Sequence, residues 1–133
     1  MKTFLIPVEL CEYVLRQKLA KPFQLYMLLK SQSDGKIRIP KENFLWLAGL
    51  LNRRTARTIK NNLRILRDKN WVGYSKKSNY YFVRGFPYIQ KQLNLQARTA
   101  AEFDALKIHQ IQEFMAAAVI CYMVKQQQRK RWL

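Results

Sequence analysis

The strongest constraint in this chain is a helical repeat running from about Arg53 to Asn70. At 100° per residue, Ala56, Ile59, Leu63 and Leu66 fall on one face, while Arg54, Arg57, Thr58, Asn61 and Arg64 point the other way. A helix divided in this manner must lay its apolar line against other elements and leave its cationic line in water. Ile65 is the exception, because it points outward in this frame. Asn52 stands just ahead of the repeat, where its side-chain oxygen suits a free backbone N–H of the first turn, so it is expected as the N-cap.

The segments on either side supply partners for that apolar line. Pro7 suits the first turn of a helix over about Val8–Leu19, with Val8, Cys11, Val14, Leu15 and Leu19 on one face. After Lys21-Pro22 a second helix is expected over about Pro22–Gln32. Asp34-Gly35 marks a turn, and the alternation in Lys36-Ile37-Arg38-Ile39 fits a short edge strand that Pro40 stops. A third helix is expected over about Lys41–Leu51. Beyond the basic repeat, Trp71-Val72-Gly73-Tyr74 and Tyr80-Tyr81-Phe82-Val83 have strand composition and flank the polar turn Lys76-Lys77-Ser78-Asn79, so they form a hairpin. Trp46 and Trp71 are expected in the core. Residues 88–97 are expected as a loop or short helix, and about Arg98–Arg129, free of Gly and Pro, as one long helix.

Charge narrows the function. The 133 residues hold 25 Lys and Arg against 8 Asp and Glu, a formal net charge of +17. Such an excess repels itself in a compact state and is the footprint of a protein that meets a polyanion. The field is also local: between Asn43 and Ala101 there are twelve Lys and Arg and one acid, Asp68. An acid-free cationic face is what phosphate contact requires, since each cation placed on DNA releases condensed counterions.

With these elements in order, Phe44-Leu45-Trp46-Leu47-Ala48-Gly49-Leu50-Leu51-Asn52-Arg53-Arg54-Thr55-Ala56-Arg57-Thr58-Ile59-Lys60-Asn61-Asn62-Leu63 resembles the support helix, turn and recognition helix of the winged helix-turn-helix family. Trp71 to Val83 resembles the wing, and the likeness covers roughly residues 4–86. Similar proteins are bacterial regulators and plasmid or phage replication proteins. Gly49 stands one position ahead of where the family's turn usually carries glycine. The resemblance implies a winged helix-turn-helix domain; with the long C-terminal helix read from composition, the chain is expected to be mainly α with a small β-hairpin wing, divided as 1–87 and 88–133. The resemblance also implies a helix that enters the major groove of double-stranded DNA.

Under that resemblance Arg53, Arg54, Arg57, Thr58 and Asn61 match the groove-facing positions. Arg forks onto guanine and Asn onto adenine. Lys60 and Arg64 suit phosphate, and Lys76, Lys77 and Asn79 at the wing tip suit a backbone or minor groove. The plainer reading of these polar side chains is a solvated helix face and a soluble turn that protects a hairpin edge. Tyr80, Tyr81 and Phe82 are expected to divide between core and surface rather than to stack on bases. The expected action is non-enzymatic and needs no cofactor: transcriptional regulation, or alternatively replication initiation, or a protein-interaction role of the same fold.

No catalytic or metal-binding constellation stands out. His109 is the one histidine, Cys11 and Cys121 are too distant in sequence for a CxxC pair, and Glu102 and Asp104 suit a helix start. Both cysteines are expected as buried, reduced thiols in a cytoplasmic, nucleoid-associated protein. Met1 to Pro7 lacks the apolar core of a secretory leader, and the apolar run Phe114–Val124 falls short of the ~20 residues that cross a bilayer, so no membrane partner is expected. Phe103, Leu106, Ile111, Phe114, Met115, Ala118, Val119 and Tyr122 form a broad stripe, and Ala116, Ala117, Ile120, Cys121 and Val124 nearly close the circle. Such a helix seeks burial by self-association through residues 98–128, by packing on the rest of the chain, against part of a longer protein, or, least favoured, against a membrane surface.

Overall fold

The molecule is mainly helical, with two small antiparallel sheets, across the residues that the computed structural model describes: 3–32, 35–39, 43–51, 55–96 and 98–132. Strand β1 (Thr3–Pro7) runs straight into α1 (Val8–Arg16), and α2 (Ala20–Gln32) follows. Lys21-Pro22 does not mark the start of α2, as the sequence suggested. Pro22 sits inside the first turn, where a backbone N–H has no helical acceptor to lose. Next come β2 (Lys36–Ile37), α3 (Asn43–Leu50), α4 (Ala56–Asp68), β3 (Val72–Ser75), β4 (Tyr80–Val83) and α5 (Phe86–Gln92). Pairing in order β2-β4-β3 makes one three-stranded sheet, with Val72 opposite Val83 and Ser75 opposite Tyr80.

A chain with 4 glycines ends its helices by other means. Lys18, Asn70 and Asn94 take left-handed φ of 57°, 61° and 56° directly after the C-caps of α1, α4 and α5. At the end of α4, Asn70 N–H donates to Arg67 O and Trp71 N–H to Leu66 O, each at 3.0 Å. This closes the last carbonyls in a Schellman pattern. The residue after each turn is apolar (Leu19, Trp71 or Leu95), so every stop also returns the chain to the interior. Gly35, with φ 105°, is the position that needs glycine, and its carbonyl accepts from Val83 N–H at 2.8 Å.

The core gathers around Trp71, which is fully buried with Phe23 and Tyr26. Its ring lies edge-on to both, with centroids at 6.4 and 6.3 Å. Its indole N–H donates to Gln92 Oε1 at 3.1 Å, and Gln92 Nε2 donates to Lys69 O at 2.7 Å. Helix α5 therefore locks the end of α4 to the start of β3. Trp46 departs from expectation: it is 56% exposed, because α3 turns Phe44, Leu47 and Ala48 inward instead. Ile65 also departs, being half-buried over the junction of α1 and α2, beside Leu15 and Leu19.

The C-terminal part differs most from the sequence reading. Residues 98–110 are not helical in the expected way. Ala100–Asp104 forms β5, paired antiparallel with β1, Phe103 opposite Phe4. A 3-10 helix spans Ala105–Gln110, and the long helix α6 covers only Ile111–Trp132. Alanine favours helix, but β1 leaves an open edge, and pairing it outweighs a propensity of a few tenths of a kcal/mol per residue, about 0.5 at most. Val8 N–H donating to Thr99 O at 2.9 Å extends the tie. Asp104 caps the 3-10 helix by accepting from Leu106 N–H at 2.9 Å, whereas Glu102 lies within β5. Ile89, Phe103, Ile108, Ile111 and Met115 enter the same core as Leu10, Val14 and Leu29, so the stretches 1–87 and 88–133 share one interior. Cys11 is buried as expected; Cys121 is exposed, contrary to expectation, because it sits on the flank of α6 where an open groove beside Val8, Ala100 and Tyr122 leaves it in solvent.

Candidate nucleic-acid interface

Helix α4 packs on α2 and α3 through Ile59, Leu63 and Leu66, all buried, as its repeat predicts. Its first residue is Ala56, and Thr55 holds the extended N-cap conformation, three residues later than the sequence placed the cap. Asn52, Arg53 and Arg54 lie outside the described residues, so their expected roles in capping and base contact have no structural counterpart here.

The outward residues of α4 divide into three lines. Arg57, Asn61 and Arg64 form an exposed crest, which Asp68 closes at the C-terminal end. Lys60 and Arg67 flank the crest on the side of the hairpin. Thr58 falls on the opposite flank, half-buried, with its hydroxyl 3.4 Å from that of Thr55. The structure thus keeps Arg57, Asn61 and Arg64 together and sets Thr58 apart from them.

The β3–β4 hairpin faces the Lys60 side and leaves a cleft of about 390 Å³ between itself and α4. Lys60, Arg64 and Arg67 line one wall; Tyr74, Asn79 and Tyr81 line the other; Ile39, Phe44 and Leu63 form its apolar floor. Tyr74 and Tyr81 sit opposite each other in the ladder with ring centroids 4.7 Å apart. The Arg67 guanidinium lies over Tyr74 at 5.2 Å, and Lys60 Nζ over Phe44 at 5.7 Å. Rings hold these cations in place without neutralising them, unlike carboxylates. No acid lines the cleft, and the one ion pair among the described residues joins Arg16 to Glu12 on α1.

The hairpin turn is built to present side chains outward. Residues 76–79 close the hairpin, with Asn79 N–H donating to Ser75 O at 2.8 Å and Asn79 in left-handed conformation, φ 59°. Tyr74 donates its hydroxyl to Asn79 Oδ1 at 2.6 Å, which aims the Asn79 amide at the cleft wall. Burial raises the Tyr81 hydroxyl above its ordinary pKa despite the opposing pull of Arg67, so it remains a neutral donor. Lys76 and Lys77 are exposed in the turn and do not line the cleft.

Arg67, Tyr74 and Tyr81 were not among the sequence-derived site residues. Arg67 was legible, since Lys60, Arg64 and Arg67 keep i, i+4, i+7 spacing. The tyrosines were not, because only the ladder register shows that 74 and 81 share a face. The register also adds Lys36 and Arg38, stacked over Tyr80 at 5.2 and 4.5 Å, to the cations of the sheet.

Among the described residues no group of His, Cys, Asp and Glu is arranged to hold a metal ion, and no helix is long and apolar enough to cross a membrane. Comparison of the chain with protein-family models, curated proteins and solved structures finds no match.

Proposed function

We propose that this protein binds double-stranded DNA sequence-specifically as a winged helix-turn-helix module and acts by occupying its site, as a transcriptional regulator does. The element order α2-β2-α3-α4-β3-β4, with sheet order β2-β4-β3, supports this reading: two consecutive helices are followed by a hairpin that packs beside the second. The observation that carries it is the cationic, acid-free cleft between α4 and the hairpin, next to a crest of Arg57, Asn61 and Arg64.

The physical division of labour follows from position. The crest is the part of α4 that can enter a major groove, about 12 Å wide, and there Arg57 and Asn61 reach base edges. The cleft is recessed, lined by fixed cations and the Asn79 amide, and suits the phosphodiester backbone beside that groove. Lys76 and Lys77 extend the cationic track beyond the cleft. Phosphate contacts, Arg64 among them, set orientation and most of the affinity; the Arg57 and Asn61 contacts set the sequence.

A titration of labelled random and selected duplexes at two salt concentrations tests this. Binding should weaken steeply with salt, with a log–log slope of roughly −0.9 per phosphate contact. Selection from random duplexes should converge on one motif. Binding that ignores salt, or a selection that returns no motif, would count against it.

A further inference from the structure

Helix α6 has two sides of unequal fate. Ile111 and Met115 are buried and Phe114, Ala118, Val119 and Tyr122 half-buried on the side that packs against α1. The opposite side carries Glu113, Ala116, Ala117, Ile120, Met123, Val124 and Gln127. All are exposed except half-buried Ala116, and Ile120 and Met123 remain 60% and 57% exposed. A polar residue closes each end of this apolar patch, the arrangement expected of an interaction site rather than of scattered surface residues.

We propose that this outer stripe of α6 joins two copies of the chain, with the two α6 helices antiparallel about a two-fold axis at Ile120. An interface between identical chains must complement itself. The order along the stripe does so: Ala116 and Ala117 lie on one side of Ile120, and Met123 and Val124 on the other. Antiparallel pairing sets the two alanines of one copy against the methionine and valine of the other, small against large. Ile120 meets Ile120. A parallel pair would stack large on large and leave a gap between the alanines.

Charge selects the same orientation. Glu113 marks the N-terminal end of the stripe and is its one charged group, and uncharged Gln127 marks the C-terminal end, while Lys125 and Arg129 lie on the other side of the helix. Antiparallel packing places Glu113 opposite Gln127 of the second copy; parallel packing sets the two Glu113 carboxylates against each other, and like charges so placed repel. The stripe spans about 21 Å at 1.5 Å per residue, three to four turns of contact. Exposed Cys121 borders it, so the two Cys121 thiols of the pair fall on one side, a little farther apart than the roughly 8–10 Å between packed helix axes.

Sedimentation equilibrium of the intact chain, without DNA, tests the proposal separately from DNA binding. The wild type should show a monomer–dimer equilibrium in the micromolar range, and a short bis-maleimide should trap a dimer through Cys121. Ile120→Glu should weaken the dimer at least tenfold with the circular dichroism spectrum unchanged. Gln127→Lys should tighten the dimer several-fold and Gln127→Glu should weaken it, since position 127 faces Glu113. These two variants keep the readout available even where Ile120→Glu fails to fold. A wild type that stays monomeric at 100 μM, as an order of magnitude, would overturn the proposal. So would Lys and Glu at 127 acting alike, which marks a parallel pair. Flotation of the wild type with anionic vesicles, lost in Ile120→Glu and unaccompanied by any dimer, would assign the stripe to a lipid surface instead.

Discussion

Helices α4 and α6 both cover the core with one face, yet their outer faces are opposites. On α4 the exposed line is Arg57, Asn61 and Arg64; on α6 it is Ala117, Ile120, Met123 and Val124. The inner faces explain why the chain folds, and by the same hydrophobic mechanism in both cases. The outer faces do nothing for that core. Their composition is therefore informative about partners: charge held apart from acids points to a polyanion, and large apolar side chains held in water point to another apolar surface.

The comparison breaks first if the inner faces are not equivalent. Leu66→Ala on α4 and Met115→Ala on α6 each remove a fully buried side chain. Each should cost about 2–5 kcal/mol in urea denaturation, because the vacated space cannot refill. A cost below 1 kcal/mol, as a rough threshold, in the Met115 variant alone would mean that α6 is loosely attached to the core.

A smaller effect should separate the two outer faces. Arg57→Ala and Arg64→Ala should leave stability within about 0.5 kcal/mol of the wild type. Arg57→Ala should cost about 1–3 kcal/mol on the preferred duplex and relax specificity at one position, while Arg64→Ala should weaken all duplexes alike and reduce the salt slope by about 1. Fluorescence anisotropy across a salt series reads both. Equal losses on every sequence for both variants would remove the distinction between crest and cleft.

The smallest predicted effect concerns the two thiols, one on each side of the core boundary. Burial, reinforced by Glu9, pushes the Cys11 thiol up to about 12 against an ordinary 9.0. Above pH 9 the unfolded chain loses this proton while the folded chain keeps it, so folding binds the proton and stability falls as pH rises toward about 12. The Cys11 part of that slope is at most about 1.4 kcal/mol per pH unit. Cys11→Ala should remove it, read as the difference between two urea titrations at pH 8 and 10 (round values chosen about the ordinary thiol pKa of roughly 8.5–9). In the native wild type a maleimide should modify Cys121 alone, since Cys11 is buried.

Much of the half built from α4 and the hairpin was legible in the residues. The spacing of Ile59, Leu63 and Leu66 fixed the buried line of α4, and the same wheel turned Arg57, Asn61 and Arg64 outward. Aromatic and β-branched residues on either side of a polar turn were enough to locate the β3–β4 hairpin. The start of α4 was read too early, because basic, helix-tolerant residues precede Ala56 without any break in composition.

Local pattern determined which residues face inward on the long helices, where the turns fall and where the positive charge collects, since all three depend on neighbours within four positions. Tertiary structure alone decided that Ala100–Asp104 is a strand, that Trp46 faces water while Trp71 anchors the core, and that Tyr74, Asn79 and Tyr81 face Lys60, Arg64 and Arg67. Each of these depends on a partner far along the chain: β1 for β5, Phe23 and Tyr26 for Trp71, and the hairpin for α4. Segments compatible with two conformations take the one whose distant partner buries more surface or pairs more backbone, and that partner does not appear in the local sequence.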